Sequence, residues 1–180
     1  MSKFSRIGNI LLGAVVIFIC AVMFIVPESG SLFFLLFLGI AFLVYGIRYL
    51  VYFFSMAKHM VGGLMIFFIS IIALDIGAFT LTLSDESMTI VSIYLALFHG
   101  FYGVVHLLRA REAKHYDSPA WKWSLAECGV NFLVVIICSG LIPFSPSPYF
   151  LIYICAAGLA YGAVMRIINA CRRTAIIYIQ

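Results

Sequence analysis

Asp75 and His99 are the residues of this chain best placed to do chemistry, because each is an ionisable group well inside a long apolar run. A carboxylate at the centre of a membrane helix costs about 2.5–3.5 kcal/mol on insertion scales, which makes it a functional candidate by default. Asp75 stands about fifteen residues into its run, roughly 20 Å from the inner end at the helical rise. His99 stands about eleven residues down the next run, within a few ångströms of the same depth. Paired, the two would satisfy each other in lipid and could respond to protons, since imidazole titrates near neutrality. The structural alternative is a neutral Asp75 bonded to a serine or a backbone carbonyl, or lying near the outer headgroups.

A second polar tier lies near the inner face: Glu127, Arg48, Arg166, His106 and Asn169 fall within about two turns of that boundary. Glu127 could pair with Arg48 or Arg166 and hold helices in register; alternatively each charge is solvated on its own. Asn9 and Asn131 read as buried amides that cross-link helices. No Gly-rich phosphate loop, H-E-x-x-H or G-x-S-x-G motif occurs, so no enzymatic activity and no cofactor are expected. His59 and His115 lie in polar segments, while His99 and His106 share a helix face without a third ligand, which makes a poor metal site. Five cysteines occur without C-x-x-C and read as small buried hydrophobes. Cys138 and Cys155 fall in the outer halves of neighbouring helices, where a pair is possible.

The elements that carry these residues follow from composition. Of 180 residues, 65% are hydrophobic and 10% charged, and the mean hydropathy of +1.17 leaves too little polar material for a watery surface. The solvent is therefore the lipid bilayer, and nucleic acid is not an expected partner. Apolar runs predict helices over Gly8–Val26, Ser31–Phe54, Met60–Leu83, Met88–Arg109, Trp121–Ile142 and Tyr149–Cys171. Tight turns are expected at Pro27–Ser31, Ser84–Ser87 and Pro143–Pro148. Arg109 to Lys122 reads as the one long polar connection, and Trp121 and Trp123 flank Lys122 as interfacial anchors.

The chain repeats itself. A shift of 116 positions lays Gly13, Pro27, Ser29, Ser31, Tyr45 and Gly46 on Gly129, Pro143, Ser145, Ser147, Tyr161 and Gly162. The same helix thus recurs in the interior, which argues against a cleaved signal at the start. Tyr102-Gly103 marks a degenerate middle copy, with Gly77 where the outer copies have proline. All eleven Lys and Arg fall on or beside one side, whereas the opposite turns carry only Glu28, Asp85 and Glu86. That asymmetry puts both termini in the cytoplasm. The expected fold is all-α: a single polytopic membrane bundle over 1–180, six transmembrane helices in three parallel hairpin repeats at about 8–54, 60–109 and 121–171. A pseudo-three-fold arrangement of the hairpins is preferred. Small residues four apart, such as Ala73 and Gly77 or Gly158 and Gly162, would let helices pack closely, with a homo-oligomer possible through one of them.

The pattern resembles the HdeD-type family of bacterial acid-resistance membrane proteins, six-helix proteins built from two-helix units. The residues that carry the resemblance are Gly13 to Pro27 with its copy Gly129 to Pro143, the Tyr-Gly pairs, and Trp121 with Trp123. It implies a bacterial inner-membrane location and a role in tolerating low pH, with no catalytic residues to carry over. A small transporter or channel along the pseudo-three-fold axis, and a scaffold holding a protein partner through residues 109–122, are the alternatives.

Overall fold

The computed structural model describes residues 3–60, 63–83, 86–116, 118–119, 121–141, 144 and 147–171. Among them all regular structure is helical: α1 (Lys3–Ile25), α2 (Pro27–Ser55), a short 3-10 turn (Ala57–His59), α3 (Gly63–Thr82), α4 (Met88–His115), α5 (Trp121–Leu141) and α6 (Pro148–Cys171). Each α-helix is long and apolar enough to cross a membrane. Large apolar side chains cover the outside, with Phe18, Ile25, Leu97 and Ile136 among the most exposed. The buried side chains include Ser31, Ser70, Thr80, His99, Glu127 and Asn131. Water would invert that distribution; lipid demands it. The chain is a multi-pass integral membrane protein.

Two compact units form, and they cut across the hairpins. One comprises residues 1–30 and 92–180, the other residues 31–91. In the first, α1 and α6 run antiparallel along their length. Arg6 donates to the Cys171 carbonyl at 3.1 Å, and the rings of Phe24 and Tyr153 stack at 6.0 Å near the opposite end. Between them Gly13 sits against Ile167, where a Cβ would come within 2.6 Å of the Ile167 side chain. The α4 residues that this unit includes bury one face: Leu95, His99, Gly103, His106 and Ala110, at the three- and four-residue spacing of a helix face.

In the second unit α2 and α3 pack by setting glycines against leucines. Gly39 faces Leu81, Gly77 faces Leu43, and Gly46 faces Leu74. The buried face of α3 is Gly63, Ser70, Ala73, Gly77 and Thr80. The Ser70 and Thr80 hydroxyls return to the Phe67 and Ile76 carbonyls, each at 2.6 Å, so neither is left unmet in an apolar setting.

Element boundaries differ from the sequence expectation at three places, the first being α1, which starts at Lys3 rather than Gly8. Pro27 opens α2 rather than a loop, so only Val26 separates α1 from α2. Proline is well suited to the first helical position because its missing N–H would have no partner there, and Glu28 adds a favourable charge to the first turn. Arg109 to Lys122 is not a loop either: α4 continues to His115. Ala110-Arg-Glu-Ala-Lys114 is made of strong helix formers, and Lys114 and His115 complement the carboxyl end of the helix dipole. The expected turn residues Ser84, Asp85, Pro143 and Ser145, and the basic pair Arg172 and Arg173, lie outside the described residues.

Candidate functional site

His99 is 2% exposed and both of its ring nitrogens are engaged inside the first unit. Nδ1 lies 2.8 Å from Asn131 Oδ1 on α5, and Nε2 lies 3.1 Å from the Cys155 carbonyl oxygen on α6. The Asn131 amide is turned by its own bond, since Nδ2 donates to the Glu127 carbonyl at 2.7 Å and leaves Oδ1 for the imidazole. His99 therefore faces two acceptors. A neutral imidazole has a single N–H and can satisfy only one of them, whereas an imidazolium satisfies both. Gly158 makes the approach to α6 feasible, because a Cβ there would stand 2.7 Å from His99 Cε1.

Within the first unit both His99 nitrogens are thus taken by Asn131 and Cys155 rather than by the carboxylate expected from the sequence. Asp75 is exposed on α3, off the face formed by Ala73, Gly77 and Thr80. Asn131 cross-links helices, as the sequence predicts, joining α5 to α4. Its role as the partner of His99 has no signal in the spacing along the chain.

Toward the end of the unit where α1 and α5 begin and α4 and α6 finish, a second polar cluster surrounds a cavity of about 310 Å³. Asn9, Tyr102, His106, Arg109, Glu127, Arg166 and Asn169 line it. Glu127 does not take up an arginine, as the sequence suggested. One carboxylate oxygen accepts from Asn169 Nδ2 at 3.3 Å, and the other lies 3.1 Å from His106 Nε2. Arg166 Nε donates instead to Asn9 Oδ1 at 3.2 Å, across the α1–α6 seam. Glu127 and His106 are each 5% exposed, while Arg166 and Asn169 are exposed. The His106–Glu127 contact has ion-pair distance but poor hydrogen-bond direction, and neither His106 nitrogen has a hydrogen-bond partner. The Tyr102 ring meets the imidazole edge-on at 4.5 Å.

The remaining expected residues fall elsewhere. Arg48 is exposed on α2 among Tyr45, Tyr49 and Tyr52. Trp121 is approached by the ammonium groups of Lys114 and Lys122, at 5.5 and 5.9 Å from its ring centre, and Trp123 is exposed. Ammonium groups at that distance are attracted by the negative face of the indole. Cys138 and Cys155 do come together, as buried free thiols with sulfurs 3.8 Å apart. Among the described residues no three His, Cys, Asp or Glu side chains converge as metal ligands would.

A short repeat of unknown function, the DUF308 family, matches the chain twice, over residues 11–82 and 68–142. Together the matches span well over half of the sequence. They begin 57 residues apart, close to half of the 116-residue internal shift, so the middle hairpin is registered as a copy in its own right. No curated protein and no solved structure matches the chain.

Proposed function

We propose that this chain, which belongs to the DUF308 short-repeat family, is a non-enzymatic protein of the bacterial inner membrane that helps the cell tolerate acid, with His99 as its proton-responsive group. HdeD-type proteins belong to the same family, and the sequence resemblance to them supports the acid-stress part of the reading. The observation that carries it is the pair of acceptors, Asn131 Oδ1 and the Cys155 carbonyl, that faces the two nitrogens of one buried imidazole. Taking up a proton completes both hydrogen bonds and ties α4 to α5 and α6 together; losing it leaves one acceptor of the pair unmet. Around the ring, α5 presents Asn131, and α6 presents the Cys155 carbonyl and Gly158. Arg6, Arg109, Lys114, Lys122 and Arg166 gather toward one end of the first unit, which supports placing that end in the cytoplasm.

The test is acid survival of a bacterial strain that lacks the protein and is complemented with variants at matched membrane levels. His99→Gln is expected to lose most of the protection, and Asn131→Leu part of it. Asp75→Asn runs alongside as the second candidate, since its exposed carboxyl has a separate setting. Full survival with His99→Gln would remove His99 from the proposal, and full survival with both His99→Gln and Asp75→Asn would remove proton sensing by either group.

A further inference from the structure

We propose that the polar cavity near the starts of α1 and α5 and the ends of α4 and α6 binds a phosphate-bearing anion, either the headgroup of an anionic lipid or free phosphate. Arg109 and Arg166 both line the cavity, with Asn9 and Asn169 beside them. Glu127 is the one carboxylate in the lining; Asn169 already donates to it, and His106 Nε2 lies 3.1 Å from it without a hydrogen bond. Two guanidinium groups against one carboxylate leave a positive surplus before His106 takes any proton. Guanidinium is the group whose planar fork matches phosphate oxygens, so two of them at one cavity favour an oxyanion over a carbonyl ligand.

His106 points the same way. It is 5% exposed, lines the cavity, and has no hydrogen-bond partner on either nitrogen. Buried polar atoms left unmet are uncommon and call for an explanation such as an absent ligand. The volume, about 310 Å³, exceeds what a bare phosphate fills and reaches the size of ordinary ligand sites. Depth matters too. Lys114, Lys122 and Trp121 lie at the adjoining helix ends, the level at which basic pockets between membrane helices take anionic headgroups. Arg109, Arg166 and Asn169 are exposed, so a ligand can reach the cavity from outside.

The experiment uses the purified full chain in neutral detergent, with soluble short-chain phosphatidylglycerol, short-chain phosphatidylcholine and inorganic phosphate as probes, read by titration calorimetry. Phosphatidylglycerol is expected to bind saturably and at least tenfold more tightly than phosphatidylcholine. The double variant Arg109→Gln/Arg166→Gln is expected to weaken it at least tenfold, and Arg111→Gln, outside the cavity lining, to leave it unchanged. Displacement of phosphatidylglycerol by inorganic phosphate would assign free phosphate as the ligand; binding without such displacement would assign the lipid headgroup. Equal binding of the two lipids, no saturable binding of any probe, or a folded double variant that binds like the wild type would overturn the proposal. Should the double variant fail to fold, the wild type decides: binding unchanged between low and high salt would equally overturn it, because ionic contacts to a phosphate weaken as salt rises.

Discussion

Gly158 on α6 and His99 on α4 fit with no room between them: a Cβ at position 158 would lie 2.7 Å from His99 Cε1 and 2.9 Å from Val134 Cγ2. The ring cannot retreat, because a hydrogen-bond partner holds it at each nitrogen. Gly158→Ala is therefore expected to destabilise the protein by about 1–3 kcal/mol, the usual cost of overpacking. Thermal unfolding in detergent measures it. Combined with His99→Ala, the added methyl should cost much less, since the two positions are coupled by contact. Equal melting of Gly158→Ala and wild type would mean the ring has slack.

The corner between α1 and α2 depends on Gly30. A Cβ there would fall 2.4 Å from the backbone N and Cα of Met23, and backbone cannot step aside as a side chain can. Gly30→Ala is expected to push the first turn of α2 away from Met23, read as loss of the monodisperse detergent-extracted species by size exclusion. Pro27→Ala, at the first residue of α2, should cost no more than about 1 kcal/mol, because proline there mainly restricts the unfolded chain. A Gly30→Ala protein that elutes and melts as the wild type does would refute the corner.

Packing of α2 on α3 makes a reciprocal prediction. At Gly39 a Cβ would meet Leu81 Cδ2 at 2.7 Å and Cγ at 2.8 Å, mostly side-chain atoms. Gly39→Ala and Leu81→Ala should each destabilise, one by crowding and the other by leaving a void, by about 1–3 kcal/mol. The double variant should recover part of the sum. Strict additivity in the double-mutant cycle would show that the two residues do not share a surface.

The thiols of Cys138 and Cys155 stand 3.8 Å apart, and a disulfide needs its sulfurs at about 2.05 Å. Small rotations of the two side chains would close the gap. A membrane-permeant two-electron oxidant such as iodine is expected to join them within one chain, releasing two protons as iodine is reduced to iodide. Thiol titration would then fall by two from the five free cysteines. Cys138→Ser should abolish the change, and an undiminished thiol count in the wild type would count against the contact.

Much of this architecture is legible in the sequence, and the limits of that legibility are physical. Runs of lipid-compatible residues announce the helices, and the paired Pro27 and Pro143 announce the repeat. Depth along a helix is also legible: His99 and Asn131 are inside the apolar spans where expected. Rotation about the helix axis is harder to read. Asp75 and His99 share a depth by counting, yet Ala73, Gly77 and Thr80 define a buried face of α3 that leaves Asp75 outside it. The stripe of small residues, taken as the buried face, sets Asp75 aside but does not point to Asn131. At Glu127, charge alone suggests arginine; the side chains that reach the carboxylate are the equally buried His106 and the exposed Asn169, which spacing does not report. Helix formers at 110–114 mattered more than their charge, which is why α4 runs on to His115.

The antiparallel seam between α1 and α6 has a consequence for biosynthesis. A ribosome completes α1 at Ile25 and does not begin α6 until Pro148, so the first rod is born long before its mate. At ordinary translation speeds that interval is on the order of ten seconds. Throughout it Gly13 has no Ile167 to receive and Asn9 no Arg166, and the nascent segment must wait in the lipid or in the hands of the insertion machinery.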